Sequence, residues 1–219
     1  MPAKSSKNAE IIRPILRGRD IKRYKADFAD LWLIATFPSK NYNIDEYPAV
    51  KEYLLSFGYD RLKQTGEVGA RKKTNNQWYE TQDSISYWDD FSKQKIVWKR
   101  VGSIIRFCYD DSGCMALDST CFATGKHIKY LTLILNSKVG NYLLKDSPKT
   151  GTGDLLISVQ AIEPVKIPVP EYETENRLNI IFDEIINGCL TAELENKINS
   201  IVYDLYNLSD EEIMFIELQ

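Results

Sequence analysis

Six of the thirteen residues from Arg13 to Lys25 are cations (Arg13, Arg17, Arg19, Lys22, Arg23 and Lys25), and Asp20 is the single acid among them. Guanidinium and ammonium groups at this density suit one chemistry, the binding of phosphate oxygens. A second block, Arg71-Lys72-Lys73-Thr74-Asn75-Asn76-Gln77, sets three cations beside three side-chain amides. Cations hold phosphates, whereas asparagine and glutamine can pair bidentately with base edges. The same composition fits a solvated loop, and the residues alone leave both readings open. A third run, Lys95 to Arg100, mixes cations with apolar residues. These blocks yield two sets of candidates. Arg17, Arg19, Lys22, Arg23, Lys99, Arg100 and Arg106 are candidates for phosphate contact, and Arg71, Lys72, Lys73, Asn75 and Asn76 for sequence reading. Within the first block, Gly18 between two arginines suggests a tight turn and Asp20 can cap the short helix after it. Arg17 or Arg19 could then pair with acids inside the domain instead of with phosphate.

Catalytic chemistry finds little support. His127 is the only histidine, so a Ser/His or Cys/His pair would have to use it. Cys108, Cys114, Cys121 and His127 could in principle surround zinc, but no C-x2-C knuckle is present and Cys108 and Cys121 sit in strand-like apolar runs. The chain has neither a phosphate loop of the G-x-x-x-x-G-K-[ST] type nor a glycine-rich strand–turn–helix for S-adenosylmethionine or a dinucleotide. Asp183, Glu184, Glu193, Glu195 and Lys197 could serve a metal-dependent nuclease, yet their helical spacing suits a solvated face. The expectation is therefore a chain without catalytic residues, metal or cofactor of its own.

The elements that must position the basic blocks can be traced along the chain. Residues 1–10 are expected to be a lead-in without regular structure. Leu31–Phe37 is a short apolar run of the kind that forms a buried strand. Ile44–Lys63 has helical spacing, with Val50, Tyr53, Leu54 and Phe57 on one face and Gly58 as a possible break. A polar loop, 64–77, carries the second basic block. Strands are predicted at Lys95–Val101, Ile104–Tyr109 and Thr120–Thr124, with a turn at 110–113 that suggests a hairpin or meander. Ile128, Leu131, Leu135, Val139 and Tyr142 form a helical stripe. Three prolines hold Ile162–Pro170 extended. Leu178, Phe182, Ile185, Cys189 and Ala192 form a further stripe, and Leu194, Ile198, Ile201, Leu205 and Leu208 another, with a phase jump between 192 and 194. Two helices, or one broken near Gly188–Thr191, follow from this, with a stripe suited to packing on a partner helix.

Charge separates along the same line. Residues 1–150 hold 25 Lys+Arg against 17 Asp+Glu, whereas residues 151–219 hold 3 against 14. The net of −3 thus conceals a body of +8 and a tail of −11. A basic body beside an acidic tail implies a polyanion-binding surface joined to a part that avoids polyanions. No apolar run is long enough to span a membrane, and the cytoplasm is the default expectation.

Several of these segments, in order, resemble the TaqI-like C-terminal specificity domain. This is the target recognition domain of many type IIG restriction–modification enzymes and related adenine methyltransferases. Ile12-Arg13-Pro14-Ile15-Leu16-Arg17-Gly18-Arg19-Asp20-Ile21-Lys22-Arg23-Tyr24 resembles its opening motif, and Lys95-Ile96-Val97-Trp98 its central strand. Asp118-Ser119-Thr120-Cys121-Phe122 is similar to the strand after its hairpin, and Tyr130–Lys138 to its leucine–asparagine–serine–lysine helix. Ile162–Pro170 is similar to the I-P-x-P strand that closes the domain, and the helices after residue 172 resemble the spacers that follow it, also in type I specificity subunits.

The resemblance covers about residues 9–208 and implies recognition of double-stranded DNA, clamped between this domain and a methyltransferase domain or subunit. That partner would flip the target adenine and use S-adenosylmethionine, with magnesium a further requirement of a nuclease in the parent enzyme. The asparagine–proline–proline–aromatic methyltransferase motif is absent from this sequence. The chain is therefore expected to be a portion of a larger enzyme or a separate specificity subunit. The fold expected is α+β. A twisted, mostly antiparallel sheet with flanking helices would occupy residues 10–170, followed by C-terminal spacer helices over 171–219 that dock on the methyltransferase or form a homodimer. The competing expectation is a protein-interaction module built on those helices, without DNA binding.

Overall fold

Apolar residues gather into separate cores, and the computed structural model, which describes residues 6–219, divides accordingly into two units. The first holds residues up to Ile15 and Asp30–Asp90, and the second holds Leu16–Ala29 and Phe91–Gln219. Residues 1–5 of the expected lead-in lie outside the described residues, and Ser6–Glu10 is a 3-10 turn.

The first unit is small. β1 (Ile12–Leu16) pairs antiparallel with β2 (Trp32–Ile34) in the register Ile12↔Ile34 and Pro14↔Trp32. The strand foreseen over Leu31–Phe37 is thus three residues long, and Trp32 is 47% exposed rather than buried. The helix expected over Ile44–Lys63 is a 3-10 turn at Ile44–Glu46, then α1 (Pro48–Leu55) and α2 (Tyr59–Leu62). Gly58 makes the break, because its φ of +91° is accessible at little cost only to glycine. Of the foreseen apolar face, Val50 is buried with Ile11, Ile12, Ile44 and Tyr47, while Tyr53 and Phe57 stay exposed and stack edge-on at 5.1 Å.

The second unit is built around β3 (Lys95–Lys99). After β3 come β4 (Val101–Gly102), β5 (Phe107–Asp110), β6 (Met115–Ala116) and β7 (Thr120–Thr124). β3 lies between β5 and β7 and is antiparallel to both, so the strands form a sheet with β3 at its centre instead of a meander. β4 pairs antiparallel with β8 (Leu155–Leu156) in a two-stranded ribbon. Among the described residues three small sheets stand in place of the single expected one, and the α+β class holds.

The stripe at 128–142 folds as α3 (Ile128–Asn136) and α4 (Lys138–Leu144), broken at Ser137. The Ser137 hydroxyl accepts the Gly140 N–H at 3.1 Å and donates to the Ile134 carbonyl at 2.6 Å, which ends one helix and starts the next. Gly140 admits no side chain, since a Cβ there would lie 2.3 Å from the Ile134 carbonyl oxygen. A short helix, α5 (Val159–Ile162), precedes an extended stretch from Val165 to Pro170. That stretch carries no strand, in contrast to the expected closing strand. Its prolines lack N–H groups for a ladder, and the hydroxyls of Tyr130 and Tyr206 hold it instead through the carbonyls of Pro168 and Lys166.

The C-terminal helices are α6 (Tyr172–Ile186), α7 (Ala192–Leu205) and α8 (Asp210–Glu217). Leu178, Phe182, Ile185, Ile198 and Ile201 carry the foreseen stripe, and all five are buried with Tyr130, Leu133, Ile134 and Val139 of α3 and α4. The stripe expected to meet a partner helix is therefore covered inside the second unit. Each such side chain contributes about 1.5–3 kcal/mol when fully buried, which makes these helices part of the fold's core.

Candidate nucleic-acid interface

The first basic block divides into cations used by the fold and cations left outward. Arg17 forms a fork with Asp20, its Nε and Nη2 donating to the two carboxylate oxygens at 3.0 and 2.8 Å. Asp20 also accepts the Arg17 backbone N–H at 2.9 Å and is almost fully buried. The Arg17 guanidinium holds the Asp20 carboxyl below the usual carboxylate range, and the pair fastens the 3-10 turn Gly18–Asp20. Arg23 bonds Glu195, the Tyr24 hydroxyl and the Asn136 carbonyl. Lys22 reaches the Arg19 carbonyl at 3.3 Å and lies 3.9 Å from Asp27. Tyr24, at φ +71°, bridges into β5, donating its N–H to Phe107 and accepting that of Tyr109.

Arg19 is different. With the turn fastened by Arg17 and Asp20, it projects into solvent beside Lys99 of β3 and Arg106. The three line a cleft of about 140 Å³ together with Gly18, Gly102 and Ser103. The glycines make room for Lys99. A Cβ on Gly18 would lie 3.0 Å from the lysine Cγ, and one on Gly102 would lie 3.4 Å from its Nζ. The lysine stem therefore runs over two bare backbone segments with its ammonium at the cleft. Among the described residues, no carboxylate comes within 4.0 Å of Arg19, Lys99, Arg100 or Arg106. Unneutralised cations converging on one concavity attract a phosphate, and each phosphate seated there releases condensed counterions. Arg100 is exposed, with its backbone N–H donating to Ser119 and its carbonyl accepting from Ile157.

The second block, in the first unit, divides in the same way. Arg71 turns inward, reaching the Trp78 carbonyl at 3.4 Å, and burial pushes its guanidinium below the ordinary value. Asn76 clips the loop by donating to the carbonyls of Thr81 and Gln82, both at 2.9 Å. Gln64, buried, closes the loop base through the carbonyls of Gln77 and Glu80. Lys72, Lys73 and Asn75 remain exposed. Nearby in sequence, Trp88 takes Arg13 and Lys40 over its ring at 5.6 and 4.8 Å.

The other candidates for chemistry take structural places. Cys108 and Cys114 pack in one apolar cluster and Cys121 against another, and burial raises the Cys108 thiol to about 12. His127 Nδ1 lies 2.7 Å from Glu175. Among the described residues, no three His, Cys, Asp or Glu side chains gather as metal ligands. No described helix is long and apolar enough to cross a membrane. Sequence reasoning passed over Ser103, which lines the Arg19 cleft. It had no periodicity or charge to signal it, because its place depends on the pairing of β4 with β8.

An outward cation cluster on an α+β scaffold, seated next to an internally fastened arginine–aspartate turn, has the charge and the opening that suit a polyanion. The family follows. Residues 13–169, more than two thirds of the sequence, match the TaqI-like C-terminal specificity domain, and the chain belongs to that family. A comparison with curated proteins finds no match. Family membership gives the chain a DNA-recognition role in restriction–modification enzymes, a role that is not catalytic by itself.

Proposed function

We propose that this chain is the target-recognition part of a restriction–modification enzyme that methylates adenine in double-stranded DNA. The observation that carries the proposal is the cleft where Arg19, Lys99 and Arg106 meet with no acid among its described lining residues, on a chain whose net charge is −3. Phosphates of the duplex occupy that cleft in this reading. Lys72, Lys73 and Asn75 of the first unit supply further contacts, the lysines to phosphate and the asparagine to a base edge. Arg17, Arg23, Arg71 and Asn76 act indirectly, by holding the turn and the loop that carry the outward residues.

The proposed partner is a methyltransferase domain or subunit, which would bring S-adenosylmethionine and, in an enzyme that also cleaves, magnesium. The residues of this chain bind and orient the duplex. A homodimer through the C-terminal helices is the less favoured assembly, because the stripe that suggested it is buried within the second unit.

Binding to random-sequence duplex across a salt series, with bound fragments recovered and sequenced, tests the proposal. Steeply salt-dependent binding with enrichment of one short motif is expected. Salt-dependent binding without enrichment would assign the specific grip to the domain together with its methyltransferase. No binding at low salt would remove the proposal.

A further inference from the structure

The Arg19 cleft has a neighbour across one turn of the chain. β4 passes into β5 through Ser103–Arg106, and at the bend Ser103 and Ile104 line two clefts at once. On the far side lies a wider cleft of about 410 Å³, where Asn141 and Lys145 come from α4 and its end, and Lys149 from the loop before β8. No described acid lines either cleft. Lys145 rests over the Tyr142 ring at 4.6 Å and reaches the Gln219 side chain at 3.3 Å. Among the described residues, no carboxylate comes within 4.0 Å of Lys145 or Lys149. Between the two clefts stands Ile104, 60% exposed at the crest of the turn.

An apolar crest with cations on both flanks has the cross-section of an element that enters a groove of duplex DNA. The phosphates of the two strands border a groove, and base edges form its floor. On the major-groove floor thymine presents a methyl group, the base feature that takes an apolar contact. Neither Lys145 nor Lys149 belongs to the basic blocks evident in the sequence. The fold brings them to the crest through α4 and the β4–β8 ribbon.

We infer that the Ser103–Arg106 turn is a base-reading ridge. Ile104 meets a thymine methyl in the major groove, the Arg19 cleft holds phosphates of one strand, and the Lys145–Lys149 cleft holds those of the other. This inference rests on the DNA-recognition reading above and adds a residue for specificity and a second phosphate track.

Four forms of the full chain test it: wild type, I104A, K145A/K149A and R19A/K99A/R106A. Each is titrated across a salt series with random-sequence duplex, and with the same duplex carrying deoxyuridine for thymidine. All these positions except Arg106 and Lys145 are exposed, and a urea midpoint for each form detects any loss of fold. K145A/K149A is expected to flatten the salt slope by up to about 2. Loss of the thymine methyl is expected to weaken wild type by about fourfold, the value of one buried methyl group, and to leave I104A unchanged. An unaltered slope in K145A/K149A, or equal responses of wild type and I104A to deoxyuridine, would overturn the ridge. If R19A/K99A/R106A also keeps the wild-type slope, or wild type does not bind, the DNA-recognition reading itself fails and the ridge with it.

Discussion

Asn136 holds both backbone polar groups of Phe107: its carboxamide oxygen accepts the N–H at 3.1 Å and its amide donates to the carbonyl at 2.7 Å. A second amide hydrogen goes to the Thr132 carbonyl at 2.8 Å, and the Asn136 carbonyl accepts from Arg23 at 2.9 Å. One buried side chain thus joins α3 to β5, and its backbone adds the segment of the opening basic block. The asparagine of the family's helix motif is a structural fastener here. Asn136→Leu is expected to cost about 2–4 kcal/mol in urea unfolding, from the buried Phe107 N–H left unpaired and the two amide bonds lost, the Phe107 carbonyl keeping its bond from the Tyr24 N–H. A loss below about 1 kcal/mol would show that these bonds are replaceable.

Lys95 has no exposed surface, yet it carries an ammonium. It pairs with Asp110 across β3 and β5 and donates to the Phe91 carbonyl at 2.7 Å, while Ser112 donates to Asp110 at 2.5 Å. Removing one partner leaves the other charge buried. Lys95→Met is expected to destabilise the chain by about 3–5 kcal/mol, and the double replacement K95M/D110L to recover most of that loss. Equal instability of single and double variants in a denaturant cycle would deny the coupling.

The Arg17–Asp20 fork sets an acid limb on stability. The folded-state pKa of Asp20 is depressed, chiefly by hydrogen bonding from the Arg17 side chain. Its contribution is therefore fully present above the unfolded value of about 3.9 and is lost as pH falls through the lower folded value. Asp20→Asn is expected to lower the urea midpoint near neutral pH, and the gap to wild type should close progressively below about pH 4. A gap independent of pH would mean that the carboxylate charge adds nothing to the turn.

Within the second basic block, inward and outward residues should separate by assay. K72A/K73A is expected to flatten the salt slope of DNA binding by up to about 2 and to leave the unfolding free energy in urea within about 0.5 kcal/mol of wild type. Arg71→Ala, which withdraws a half-buried side chain from the Trp78 carbonyl, should act mainly on stability. The reverse pattern would place Arg71, and not the lysines, on the DNA.

Much of this was legible in the sequence, for identifiable reasons. The stripes of α3, α6 and α7, the break at Gly58 and the strand at Lys95–Trp98 follow from local periodicity, glycine geometry and strand composition, which tertiary context reinforces here, whereas the central place of that strand was implied by the family resemblance alone. The family is carried by residues such as Asn136 and Arg17, whose internal bonds demand their types. What the sequence left hidden depends on distance along the chain. Arg17 and Arg19 are equivalent cations on paper, and only the Asp20 fork separates them. Arg71 and Lys72 differ by which one faces the loop interior. Lys99 and Arg19 meet because Gly18 and Gly102 clear a path for a lysine stem, a relation no spacing rule reveals. The acid-rich tail suggested a partner helix because its stripe looks the same whether it is covered by another chain or by α3 and α4.

In the proposed reading, phosphate binding resides in the outward cations of the Arg19 cleft. The most direct test is the slope of log K against log salt for duplex DNA, compared between wild type and R19A/K99A/R106A. Each phosphate no longer neutralised is worth about 0.9 in the slope, so the triple variant should reduce it by up to roughly 3 while the fold persists. A slope unchanged in a variant that unfolds like wild type would contradict the claim.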